Sequence, residues 1–93
     1  MNGSNSFAFV RVRNTVTSQV GTGHGYWSGC SKTSRLKALN IAYAYAASDA
    51  DCETPKQCKV IQHHDCVKDM PYMTAVSEKR TNEFKFAELP NNE

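Results

Sequence analysis

The chain has 93 residues, which is enough for a single domain. Its residues are 40% hydrophobic and 10% aromatic, a composition that excludes a disordered polar tail. The formal net charge is only +2, but the charges are unevenly distributed. All nine acidic residues lie at or after Asp49, and every charged residue before Asp49 is basic. A basic half of this kind predicts a polyanion or an acidic protein as partner.

The sequence contains no signal for export or membrane insertion. No apolar run approaches the roughly 18 residues that a membrane-spanning helix needs. Residues 1–6 lack the basic and apolar regions of a signal peptide. We therefore expect a soluble cytoplasmic protein in which residues 1–93 form one domain, with residues 1–5 and 89–93 frayed at its ends.

Residues 7–20 alternate with a period of two and are rich in Phe, Val and Thr, which predicts a strand or a long bent strand. Its two faces would carry Ala8, Val10 and Val12 on one side, and Phe7, Phe9, Arg11 and Arg13 on the other. Aromatic and guanidinium groups on one sheet face suit base stacking and phosphate pairing. The alternative is that the phenylalanines cover a second core layer while the arginines are only solvated.

Residues 21–29 contain four glycines and two large aromatic side chains, and this composition excludes a helix. The lysine and hydroxyl spacing of a P-loop is missing, so the glycines do not predict nucleotide binding. We predict a loop, either a flexible hairpin or a wide connection, that presents Tyr26 and Trp27. If these rings are exposed they are interface anchors, and if they are packed they cover the small core.

A helix is predicted from a cap at Ser31 or Thr33 to about residue 47, because the segment is rich in alanine and leucine. Its wide apolar stripe predicts burial against a sheet. The charged residues of its first two turns are Lys32, Arg35 and Lys37. Basic groups beside free helix N–H groups form an anion site, although solvated side chains are the simpler explanation for any one of them.

The remaining elements complete an α+β domain. Residues 57–64 predict a strand, residues 65–71 a turn and residues 72–80 a further strand. Phe84 and Phe86 alternate with Lys85, which predicts either a short fourth strand or an apolar latch. The predicted fold is one helix packed on a small antiparallel sheet of three to four strands, in the order β-α-β-β with a possible short C-terminal strand.

The even number of cysteines leaves three alternatives open. Cys30, Cys52, Cys58 and Cys66 would be free thiols in a reducing cytosol, or two disulfides in an exported protein. The third alternative is zinc held by Cys52, Cys58, His63 or His64, and Cys66, although this spacing lacks the short paired knuckles of zinc sites.

Catalysis is not predicted. His63 and His64 are neighbours in a strand and so point to opposite faces, which prevents both from serving one site. No glycine-rich elbow, paired carboxylates or oxyanion element accompanies Cys66 and the histidines. We expect no enzyme activity, no cofactor and no small-molecule substrate, and one of the two histidines could instead stack on a base.

The order of a strand at residues 7–13, an alanine-rich helix at 36–47 and strands at 58–62 and 73–80 resembles several phage anti-CRISPR proteins, and among them the type I-F inhibitors. The resemblance implies a non-enzymatic protein of the infected bacterial cytoplasm. Its partner would be the Csy surveillance complex, in which Cas subunits surround a guide RNA, and binding would block hybridisation of target DNA. The basic residues here would contact guide-RNA phosphates or bases.

Two other resemblances compete with this one. Residues 29–32 with Ala38, Ala42 and Ala46 resemble the last helix of double-stranded RNA-binding domains, which implies a small RNA-binding module. The helix followed by residues 58–61 and Cys66 resembles small cysteine-paired periplasmic domains, which implies a disulfide-stapled extracytoplasmic structural or interaction domain. For the inhibitor, the expected partner contacts are Arg11, Arg13, Tyr26, Trp27, Lys32, Arg35 and Lys37.

Overall fold

A computed structural model describes residues 5–29, 31–67 and 83–86. In chain order these residues form strand β1 (Asn5–Asn14), strand β2 (Val20–Ser28), helix α1 (Lys32–Asp49), a 3₁₀ turn (Pro55–Gln57) and strand β3 (Cys58–Val67). The strands make one antiparallel sheet in the order β2-β1-β3. Helix α1 packs on one face of that sheet, so the predicted α+β class, with one helix on a small antiparallel sheet, is confirmed.

β1 is the central strand and follows the predicted alternation. Ala8, Val10 and Val12 are fully buried beneath α1. The strand ends at Asn14, six residues before the predicted end, because the Asn14 side chain directs a turn. Its Oδ1 accepts the backbone N–H groups of Val16 and Thr17, at 2.9 and 3.1 Å.

β2 occupies most of the segment that the glycines predicted to be a loop, and that prediction is wrong. Gly21, Gly23 and Gly25 are buried and alternate with half-buried or exposed side chains. A Cβ atom added at Gly23 would overlap the backbone of Ala42 and Ala46 in α1. The glycines therefore allow the helix backbone to approach the strand directly, which side chains would prevent.

The predicted helix is confirmed, and it ends at Asp49, slightly beyond the expected residue 47. Ser31 is its N-cap and accepts the Ser34 N–H at 3.1 Å. Gly29 makes the turn before it with φ +88°, a left-handed conformation that glycine adopts readily. Within the described residues, no helix combines the length and apolar character needed to cross a membrane.

β3 pairs with β1 and extends through residues 65–67, which were predicted to be part of a turn. A disulfide between Cys52 and Cys58, whose Cα atoms are 5.7 Å apart, joins the segment after α1 to the start of β3. In the described residues the order is β-β-α-β, since β2 was not predicted. The strand predicted at residues 72–80 lies outside the described residues.

The described C-terminal residues, 83–86, form no strand, so of the two predictions for this segment the apolar latch is confirmed. Phe84 is fully buried, with its ring centroid 5.7 Å from that of Tyr43 in α1. Phe86 lies 5.2 Å from the same tyrosine ring, and its backbone N–H donates to Asn40 Oδ1 at 2.7 Å. The segment therefore closes the core beside α1.

Candidate functional site

The sheet has one face that no described element covers, because α1 packs on the opposite face. The strand register places outward side chains opposite one another, as in the pairs Phe9 with His24 and Phe9 with His64. We call this surface the outer face and define it by ten side chains: Phe7, Phe9, Arg11, Arg13, Thr22, His24, Tyr26, Lys59, Gln62 and His64. Val20, opposite Arg13 at the start of β2, lies beside them.

Rings extend across all three strands of the outer face. On β1, the Phe9 ring centroid lies 5.4 Å from His24 of β2 and 6.0 Å from His64 of β3. Two residues earlier, the Phe7 ring lies 5.1 Å from that of Tyr26. None of these five rings is fully buried. The outer face is therefore an aromatic platform that solvent reaches.

Arg11 lies at the centre of this platform. Its guanidinium carbon is 5.4 Å from the Phe9 ring centroid, which is a cation–π distance. Its side chain donates to Gln62 Oε1 of β3 at 3.1 Å and to Thr22 Oγ1 of β2 at 3.5 Å. Neighbours on both adjacent strands therefore hold the guanidinium in place on the sheet surface.

The outer face is cationic. Arg11, Arg13 and Lys59 carry positive charge, and none of the ten outer-face residues is an acid. A carboxylate lies at the edge of β2, where Asp49 of α1 accepts the backbone N–H of Thr22 at 3.0 Å. An anionic ligand would therefore meet three positive side chains beside the exposed rings.

The seven residues predicted to contact a partner are divided between two sides of the domain. Arg11, Arg13 and Tyr26 belong to the outer face, whereas Lys32, Arg35 and Lys37 belong to α1 on the opposite side. Trp27 is 40% exposed and lies on the helix side of the sheet. There Lys37 Nζ is 4.7 Å from the centroid of the Trp27 ring. The basic N-terminal half thus forms two separate surfaces rather than one.

The adjacent histidines face opposite sides of β3, as their position in a strand predicted. His64 lies on the outer face, and its Nε2 is 3.3 Å from Gln62 Nε2. His63 lies on the helix side, with its ring centroid 6.2 Å from Phe86. The two imidazoles cannot act together on one substrate.

The zinc alternative loses two of its ligands in this structure. Cys52 and Cys58 are bonded to each other, so neither sulfur is a thiolate. His64 stacks beside Phe9 on the outer face. Among the residues that the structure describes, no group of three or more His, Cys, Asp and Glu side chains is arranged to hold a metal ion. The free-thiol alternative likewise does not describe Cys52 and Cys58.

Sequence reasoning found β1 and its outward residues but missed the contribution of β2. His24 and Thr22 were assigned to a loop, although Gly21, Gly23 and Gly25 alternate with Thr22, His24 and Tyr26 in the period of a strand. That alternation was the available signal. Its apolar half was not recognised because glycine contributes no side chain to the pattern.

The chain matches no protein-family model, and neither curated proteins nor solved structures include a match to it. The described geometry alone therefore defines the class of protein. It is a small α+β domain with a disulfide and with an aromatic and basic sheet face that none of the described elements covers.

Proposed function

We propose that this protein is a non-enzymatic domain that binds single-stranded nucleic acid on the outer face. The observation that carries the proposal is the Arg11 guanidinium against the Phe9 ring, flanked by His24 and His64, on a sheet face that no described element covers. Single strands expose both unstacked bases and phosphates, and this surface has groups suited to each.

The chemistry of the outer face favours nucleic acid over an acidic protein. Bases stack on aromatic rings and on guanidinium planes, and each stacked base contributes about 1 to 3 kcal/mol. An acidic protein would need only the cations and would leave Phe7, Phe9 and Tyr26 without matching groups. Along the outer face of β1, the rings of Phe7 and Phe9 are followed directly by Arg11 and Arg13, so one extended ligand could contact both kinds of group.

The proposal is tested by fluorescence anisotropy with a labelled oligouridine at several salt concentrations. We expect saturable binding that weakens as salt rises, and a Phe9→Ala variant that binds about tenfold more weakly. Val16→Ala is the matched control, because Val16 is 71% exposed in the β1–β2 turn and lies outside the outer face. Absence of binding at low salt, or equal losses in both variants, would contradict the proposal.

A more specific form of the proposal makes the nucleic acid a guide RNA. The resemblance to type I-F anti-CRISPR proteins supports a role as a phage inhibitor of the surveillance complex in the infected bacterial cytoplasm. The outer face would then contact guide RNA between Cas subunits and block hybridisation of target DNA. The test is whether the purified protein prevents target-DNA binding by the loaded complex, and whether Phe9→Ala relieves that inhibition more than Val16→Ala does.

The Cys52–Cys58 disulfide favours a second candidate, a disulfide-stapled interaction domain that works outside the cytoplasm. The two candidates predict different effects of reducing the disulfide on folding and on binding. An inhibitor acting in a reducing cytoplasm must stay folded and bind with its thiols reduced. If mild reduction at growth temperature unfolds the protein, the extracytoplasmic candidate takes precedence. If the reduced protein keeps its circular dichroism spectrum and its affinity for oligouridine, the cytoplasmic one stands.

A further inference from the structure

We infer that acidification strengthens nucleic-acid binding by the outer face, through protonation of His24 and His64. This inference rests on the proposed function and adds a form of regulation to the same site. It is carried by the position of the two imidazoles, which lie on either side of the central Phe9 ring.

The two histidines belong to different strands, and both of their rings lie beside the Phe9 ring. His24 of β2 lies 5.4 Å from the Phe9 ring centroid, and His64 of β3 lies 6.0 Å from it on the other side. His64 is exposed and His24 is half-buried, so both rings lie at the surface where a ligand would stack. Protonation of both would surround Phe9 with three cations, since Arg11 already contacts the ring.

Among the side chains that the structure describes, the charged and titratable groups around the two histidines are predominantly basic. From β1 they are Arg11 and Arg13, and from β3 the group is Lys59. β2 adds the Tyr26 hydroxyl, and α1 adds the Asp49 carboxylate, which is bonded to the Thr22 backbone at the edge of β2. Among the outer-face side chains that the structure describes, none is a carboxylate that could neutralise a protonated imidazole, so the added charge is available to a phosphate.

The size of the effect follows from counterion release. Histidine changes its charge between about pH 5 and pH 8. Each additional phosphate neutralised on a single strand steepens the dependence of log K on log salt by about 0.7. Two added contacts therefore steepen it by about 1.4, and at moderate salt we expect binding to tighten about tenfold between about pH 8 and about pH 5.

The experiment measures oligouridine affinity by anisotropy at about pH 8 and about pH 5, because neither uracil nor the phosphodiester changes charge in that range. Wild type is compared with the double variant His24→Gln, His64→Gln and with His63→Gln, which removes the histidine on the helix side of β3. The readout is the ratio of the two affinities within each variant, so a change in overall affinity does not affect it. Circular dichroism at both pH values confirms that each variant is folded.

We expect the ratio to be about ten in wild type and in His63→Gln, and close to one in the double variant. Binding with no pH dependence, or a ratio that survives in the double variant, would overturn this inference and leave the proposed function intact. Absence of binding at every pH would overturn the proposed function, and this inference with it.

Discussion

The Arg11 guanidinium carbon lies 5.4 Å from the centroid of the Phe9 ring, two residues away on the same face of the central strand. Gln62 and Thr22 hold that guanidinium from the two flanking strands. The arrangement exists before any ligand binds, so a planar ligand would not have to immobilise a free arginine side chain. The central contact between cation and ring is therefore preorganised.

The division of basic residues between two surfaces predicts which charges matter for binding. Replacing Arg11 and Arg13 with glutamine should weaken oligouridine binding and reduce the slope of log K against log salt by about 1.4. Replacing Arg35 and Lys37 with glutamine removes the same charge from the helix side and is the matched control. A larger effect from the Arg35 and Lys37 pair would place the ligand on the helix side instead.

The glycines of β2 predict a strong dependence of stability on close packing. Gly23→Ala would place a Cβ atom against the backbone of Ala42 and Ala46, where no side chain can move aside. We expect it to lower the free energy of unfolding by about 3 kcal/mol. Ser28→Ala, at the exposed end of the same strand, should change it by less than about 0.5 kcal/mol. Urea denaturation followed by Trp27 fluorescence measures both, and equal stability of the two variants would refute the close-packing explanation.

The sequence was sufficient to predict elements whose side chains carry a pattern. Ala8, Val10 and Val12 alternate with larger outward residues, so β1 was predicted, and the alanine-rich segment predicted α1. β2 was missed because glycine has low strand propensity, and only its complementarity to the alanines of α1 makes it a strand here. That complementarity is a tertiary property that local sequence does not reveal.

Only the part of the candidate site that lies within one strand could be predicted from local sequence. The outward position of Phe9 and Arg11 follows from alternation within one strand. Bringing His24 and His64 to either side of Phe9 depends on the register of two long-range strand pairs. A single basic surface would have required Arg11 and Lys37 to share one face of the fold, whereas the sheet separates them.

The Cys52–Cys58 disulfide closes a short loop between α1 and β3. A loop of this length reduces the entropy of the unfolded chain enough to add about 2 kcal/mol of stability. We expect the double variant Cys52→Ser, Cys58→Ser to lose about that amount in urea denaturation and to lose the disulfide-linked peptide in mass spectrometry under non-reducing conditions. A double variant as stable as wild type would show that the disulfide does not stabilise the fold.

Burial raises the pKa of the Tyr43 hydroxyl above its ordinary value of 10.0. Between the unfolded and folded pKa values, the unfolded chain loses this proton while the folded chain keeps it, so the free energy of unfolding falls as pH rises above about 10. The contribution is fully present below that pH. Tyr43→Phe removes the titrating group and should reduce the loss of stability in alkali, measured as the change in Tm between neutral pH and about pH 11. An unchanged alkaline loss would contradict this assignment.

The most direct test of the outer face as the binding surface is an NMR titration with oligouridine that follows aromatic side-chain signals. The account predicts that ring resonances of Phe9, His24 and His64 shift progressively, while the Trp27 indole N–H on the helix side does not. Shifts concentrated at Trp27, with the Phe9 and histidine rings unchanged, would contradict the account.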